Sequence, residues 1–206
     1  RNFVVKIYIG DVRGKVPQGG GQKREAEHRA GIELLRRGVS ALYGVEVTEE
    51  RIERGPYGKP YLMDHPDIHF NISHSGRIAV CAVGRGPLGV DVEWIRSYSL
   101  GLIKRVLSEK EKKQMDIWKE ENKGEAFFRF WTLKESCVKA MGCGITVPLN
   151  KIEFTLTGKD GIISGPEGWY FYQIKEGEMI LSLCTDRPQD IQIERKTVFL
   201  DDPAKS

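Results

Sequence analysis

Two carboxylates stand two residues apart in Gly89-Val90-Asp91-Val92-Glu93, inside an apolar, β-branched run. Side chains alternate across a strand, so Asp91 and Glu93 share one face while Val90 and Val92 take the other. A second stretch, Trp131-Thr132-Leu133-Lys134-Glu135-Ser136-Cys137-Val138-Lys139, is helix-like, and its spacing of four stacks Trp131, Glu135 and Lys139 on one side. A hard divalent cation such as Mg²⁺ takes oxygen ligands and binds through a few carboxylates plus substrate phosphates. A strand with two acids and a helix with a third plus a lysine could hold such an ion against a phosphate. Each motif also has a plainer reading. An antiparallel strand commonly carries charge on its solvent face, and an i,i+4 Glu–Lys pair on a wet helix is worth only ~0.2–0.5 kcal/mol. Trp131 beside Glu135 and Lys139 argues for partial burial of that helix side.

Three further groups suit an anion. His74, in Asn71-Ile72-Ser73-His74-Ser75-Gly76, sits at a strand end whose turn can expose backbone N–H groups, a cradle for phosphate. The same Ser and Asn residues could equally satisfy their own backbone in an ordinary hairpin. Lys59 in Tyr57-Gly58-Lys59-Pro60 is presented by a loop that Pro60 stiffens, and a solvent-exposed turn lysine would look the same. Arg29, after His28, starts a basic helix side that also suits plain solvation. Neither a G-x-S-x-G nucleophile turn nor a Walker-type Gly-Lys-Ser loop occurs. Together the acids Asp91, Glu93 and Glu135 and the cations Lys59, Lys139, His74 and Arg29 suit a polyphosphate substrate and an in-line displacement. In such a reaction the protein positions groups and neutralises charge.

The elements that must position these groups are legible as alternating helix and strand signals. Phe3–Ile9 is β-rich, and Gly19-Gly20-Gly21 reads as a flexible break. Ile32, Leu35, Val39 and Leu42 recur at helical spacing, giving a helix over Glu25–Tyr43 that stops at Gly44. Ile68–Ser73, Arg77–Val83 and Leu88–Glu93 read as three consecutive strands joined by tight turns. A helix over Leu100–Leu107 precedes Ser108-Glu109-Lys110-Glu111, a capping box opening another helix. The aromatic-rich helix Glu125–Met141 ends at Gly142, and strands follow at Ile152–Leu156, Trp169–Lys175, Met179–Cys184 and Ile191–Val198. Each half is thus a helix followed by a short antiparallel meander. The pattern predicts an α+β duplication with a seam near Ile95–Leu100, residues 1–97 and 98–206 forming the two halves.

Bulk composition constrains the class. The 206 residues are 40% hydrophobic and 30% charged, with a net charge of +3, which tolerates an anionic ligand without requiring one. No apolar run approaches the roughly 20 residues that span a bilayer, and the amino terminus lacks a signal pattern. The four cysteines form no C-x-x-C pair and read as free thiols of a reducing cytosol. The expectation is a cytoplasmic monomer without membrane or nucleic-acid partners. A nucleotide- or RNA-binding protein using the Arg-rich helix is the alternative, although acids on the binding face oppose unassisted phosphate contact. A metal-dependent nuclease would share the acids but leave His74 and Lys59 unexplained.

In Gly58-Lys59-Pro60, Phe70-Asn71-Ile72-Ser73-His74-Ser75, Gly89-Val90-Asp91-Val92-Glu93 and Trp131-Thr132-Leu133-Lys134-Glu135-Ser136 with Lys139, the chain resembles the 4′-phosphopantetheinyl transferases, specifically the larger Sfp-type. The likeness runs from His28 to about Cys184. It implies an α+β fold of two similar α/β halves, an intramolecular pseudo-dimer, with coenzyme A in the cleft between them. It further implies that Asp91, Glu93 and Glu135 coordinate Mg²⁺ (or Mn²⁺), and that Lys139 and His74 contact phosphate oxygens. Arg29, Lys59 with Pro60, and Ser73 would hold the adenosine 3′-phosphate and adjoining phosphates. The implied partner is an apo acyl or peptidyl carrier protein of fatty-acid, polyketide or antibiotic peptide synthesis, with Glu135 as base and Lys104 and Arg105 near the docking face. One departure is the segment before the Arg29 helix, which is short, contains Gly19-Gly20-Gly21 and leaves Lys23 and Arg24 without an assigned role where the family has a longer basic stretch.

Overall fold

The computed structural model describes residues 3–15, 19–158 and 161–200. In chain order the elements are β1 (Val4–Arg13), α1 (Gly20–Tyr43), β2 (Ile52–Arg54), β3 (Pro60–Leu62), β4 (His69–Ser75), β5 (Ile78–Gly84), β6 (Leu88–Trp94), α2 (Leu100–Val106), α3 (Glu109–Met115), α4 (Lys123–Met141), β7 (Thr155–Thr157), β8 (Gly161–Ser164), β9 (Tyr170–Glu176), β10 (Met179–Thr185) and β11 (Asp190–Phe199). The expected α+β class is observed. One sheet has the order β11-β1-β5-β4 and the other β6-β10-β9, with two small hairpins, β2-β3 and β7-β8.

Period-two alternation builds the layers. On β1, Val5, Ile7 and Ile9 face one side, where they meet Val80 and Ala82 of β5 and Val90, Val92, Leu181 and Leu183 of the second sheet. Tyr8 and Val12 face the other side, against Ala30, Leu34 and Leu35 of α1. The two sheets therefore share an apolar interior, α1 covers the outer face of the first, and α4 covers the second through Phe127, Phe130, Leu133 and Cys137. Both long helices end on a left-handed glycine, Gly44 and Gly142, as the sequence predicts. The Ser108 capping box is present in full. All four cysteines are free, and among the described residues no helix is long and apolar enough to cross a membrane.

Several boundaries differ from the sequence reading. Gly20 and Gly21 do not form a flexible break; they are the opening residues of α1, with Gly19 as its N-cap. The three strands β4, β5 and β6 do not make one meander. β4 pairs with β5, but β6 pairs antiparallel with β10. β11 leaves the second half and runs parallel to β1, so strand pairing crosses the expected division at residue 97. Local alternation specifies a strand without specifying which edge it joins. Ile152 lies in a short 3₁₀ segment and cap ahead of β7 rather than in a strand, and β8 has no counterpart in the sequence reading.

Candidate active site

The site lies where β4 runs beside β6. No backbone ladder joins these strands; side chains at alternate positions of β4 replace it. Asn71 Oδ1 accepts from Val90 N–H at 2.9 Å, and Ser73 Oγ accepts from Val92 N–H at 3.2 Å. Ser75 Oγ donates to Glu93 Oε2 at 3.4 Å, and Trp94 Nε1 donates back to Ser75 O at 3.0 Å. The carbonyls of β6 go to lysines. Lys139 Nζ donates to Val90 O at 2.6 Å and to Ile72 O at 2.9 Å, so one ammonium from α4 clasps both strands. Lys59 Nζ donates to Leu88 O at 2.9 Å. Every buried backbone group needs a partner, and this seam finds its partners in side chains, among them the predicted Ser73, Lys59 and Lys139.

Val90 and Val92 point into the interior, which turns Asp91 and Glu93 toward α4 as strand alternation demands. α4 lies close because residue 89 is glycine: a Cβ there would strike the α4 backbone at Ser136 O and Ala140 N. Asp91 is 8% exposed. Ser73 Oγ donates to its Oδ1 at 3.1 Å, while its Oδ2 is buried and unpaired. Burial pushes the Asp91 carboxyl up; Lys139 opposes this, and the charges of Glu93 and Glu135 add to it. Glu135 Oε1 accepts from Trp131 Nε1 at 3.3 Å, confirming the stacked helix side. Glu93 Oε2 is gripped by Arg96 at 2.6 Å, and Arg96 lies over the Phe128 and Trp131 rings at 4.8 and 5.4 Å. Among the described residues, no three of His, Cys, Asp and Glu are gathered as closely as a preformed metal site requires. The donor chemistry still fits a hard cation: Asp91 Oδ2 is a buried carboxyl oxygen lacking a partner, and its acidic neighbours supply more oxygen.

A cavity of about 780 Å³ opens beside the seam. Lys59, Pro60, His74 and Lys139, four of the predicted residues, line it. Burial lowers the Lys59 ammonium to about 8, helped by nearby Lys139, and burial likewise lowers Lys139. His74 Nδ1 stands 3.4 Å from Glu27 Oε2, and His28 Nε2 is 2.6 Å from Glu49 Oε1. Two predicted contacts lie elsewhere. Arg29 is exposed on α1 and does not line the cavity; Arg24 and His28 line it instead. Ser73 is spent on Asp91 and Val92 N–H and does not line it either.

Sequence reading missed several contributors. Arg54 and Asn71 line the cavity, and Arg96 was unassigned. Lys134, adjacent to Glu135, is fully buried and donates to Glu111, to Val106 O at 2.6 Å and to Leu149 O at 3.0 Å. It braces α4 while its neighbour faces the site. The helical phase of 100° per residue separates these roles, so i,i+4 spacing from Trp131 was the usable signal for Glu135 and Lys139.

The model of the 4′-phosphopantetheinyl transferase superfamily matches residues 87–184. The chain is 36% identical to the 4′-phosphopantetheinyl transferase Sfp of Bacillus subtilis (strain 168) over 143 residues, 68% of this chain and 63% of that protein. It is 35% identical to another 4′-phosphopantetheinyl transferase of Bacillus subtilis over 184 residues, 84% of this chain and 81% of that one. Against the 4′-phosphopantetheinyl transferase HetI of Nostoc sp. identity is 37% over 141 residues, 64% of this chain and 59% of that protein. The matched region thus spans slightly less than two thirds of Sfp and HetI and four fifths of the second relative.

Proposed function

The chain belongs to the 4′-phosphopantetheinyl transferase family, and on that premise we propose that it transfers the 4′-phosphopantetheine group of coenzyme A to a serine hydroxyl of an apo acyl or peptidyl carrier protein, releasing 3′,5′-ADP. The observation that supports this best is the continuity of one surface. A cation-lined cavity leads to Lys139, and Lys139 reaches the strand that carries Asp91. A polyanionic nucleotide suits the first region, and a reacting phosphate suits the second.

Lys59, Lys139, His74 and Arg24 offset the phosphate charge of coenzyme A within the cavity. Lys139 uses two of its three donors on Ile72 O and Val90 O, leaving one for a phosphate oxygen. Asp91, Glu93 and Glu135 are the residues that would hold Mg²⁺, which supplies charge neutralisation on the pyrophosphate when bound. Glu135 takes the proton of the attacking serine hydroxyl, its Oε1 aimed by the Trp131 indole. The serine oxygen forms a bond to the β-phosphorus as the bond from that phosphorus to the bridging oxygen breaks, and the lysines offset the charge gathering on the departing 3′,5′-ADP. Exposed Lys104 and Arg105 on α2, beside the 78%-exposed Leu100, form a face suited to an acidic carrier helix.

Incubating the chain with coenzyme A, Mg²⁺ and a panel of apo carriers tests the proposal by intact-protein mass. A carrier heavier by one phosphopantetheine group is the expected result, and no gain with any carrier refutes it.

A further inference from the structure

Asn71 lies at the junction of the cavity and the seam, and its amide has two distinct ends. One end is fixed by chemistry. The Val90 backbone N–H is a donor, so the atom 2.9 Å from it must be the carbonyl Oδ1 of Asn71. The Nδ2 end must then point the other way. It makes no hydrogen bond among the described residues, yet it is not among the sealed, unpartnered buried atoms. Asn71 is 6% exposed and lines the cavity, so the accessible space around its amide is cavity space.

We propose that Asn71 is both a ligand-binding and a positioning residue: its Nδ2 donates to an oxygen of the anionic nucleotide in the cavity while its Oδ1 pins β6. The inference rests on the reading of the cavity as a coenzyme A site. The physical consequence is coupling. Val90 precedes Asp91 on β6, and Asn71 stands two residues before Ser73, which holds Asp91 Oδ1. A ligand that engages the free N–H groups orders the amide plane, and that plane sets the distance between β4 and β6. Lys139 repeats the device one step along, since its ammonium joins Ile72 O to Val90 O. A carboxylate at position 71 would keep the accepting oxygen but replace two donors with a negative oxygen facing phosphate. An aliphatic group of similar shape would remove both functions and leave Val90 N–H unpaired in the interior.

Two substitutions separate the two ends. Asn71→Asp is expected to fold, to keep the Val90 amide protected in hydrogen exchange, and to bind coenzyme A at least about tenfold more weakly by calorimetry, because like charges are brought together. Asn71→Leu is expected to lower the melting temperature and to speed exchange at Val90. Wild-type affinity in Asn71→Asp overturns the ligand contact, and failure of that variant to fold contradicts the pinning role, since its acceptor is retained. Unchanged Val90 protection in Asn71→Leu also overturns pinning. Absence of coenzyme A binding by the wild-type chain refutes the cavity reading and the ligand contact together, whereas Val90 exchange still decides the pinning role.

Discussion

The two helix-covered sheets are built alike and used differently. α1 covers its sheet with Ala30, Leu34 and Leu35 against Tyr8, Cys81 and Val83, an apolar interface. Beneath α4 a polar row crosses the second sheet instead: Asp91, Ser182 and Gln173 are register partners on β6, β10 and β9. Thr132 Oγ1 and Ser182 Oγ are 2.8 Å apart, Gln173 Nε2 donates to Ser182 Oγ at 2.9 Å, and Arg129 Nη1 donates to Gln173 Oε1 at 2.7 Å. Burying such groups costs free energy unless each finds a partner. Along this row, among the described residues, the buried atoms without a hydrogen-bond partner are Asp91 Oδ2 and Arg129 Nε. β6 and α4 carry the acids, and α1, β4 and α4 each contribute to the cavity wall.

Breaking the bracing of α4 should have the largest effect on this contrast. Lys134→Met strands the buried Glu111 carboxylate and should cost about 3–5 kcal/mol in chemical denaturation, with much of the loss recovered by adding Glu111→Leu. No residue of α1 offers an equivalent loss among its buried positions, which are apolar or glycine.

Close approach gives the next test. Gly89→Ala pushes a methyl into the α4 backbone and should destabilise by about 1–3 kcal/mol or more. Gly21→Ala on α1 meets nothing and should stabilise by about 0.5–1 kcal/mol through helix propensity. Equal melting shifts in the two variants would erase the distinction between a packed and an open glycine.

A further test concerns pH. Burial lowers Lys59 to about 8 against an ordinary value of 10.5. The unfolded chain therefore binds more protons at this site between those values, and stability rises with pH across that window. The stability of wild type minus that of Lys59→Met should increase from pH 8 toward 10.5, and a flat difference would mean that burial does not shift this amine.

The chemistry-bearing motifs were legible because strand alternation and helical spacing are local. Asp91 and Glu93 turned together, Glu135 and Lys139 stacked with Trp131, and both helix-ending glycines fell in place. The seam was not legible. Asn71 and Ser73 reach backbone groups 19 residues away, and no periodicity encodes a side chain that replaces a ladder bond. Arg29 was singled out as the start of a basic helix side, and the phase of α1 puts Arg24 and His28, not Arg29, on the cavity wall. Lys134 and Lys139 share chemistry and helix, and only packing separates brace from clasp.

The proposal stands most directly on Glu135 of α4 as the base. Wild type and Glu135→Gln, matched for melting temperature, are to be compared by intact mass of an apo carrier incubated with coenzyme A and Mg²⁺. The account predicts one added phosphopantetheine group with wild type and a rate lower by about 10²–10⁴-fold with Glu135→Gln. Equal transfer by both proteins would contradict it.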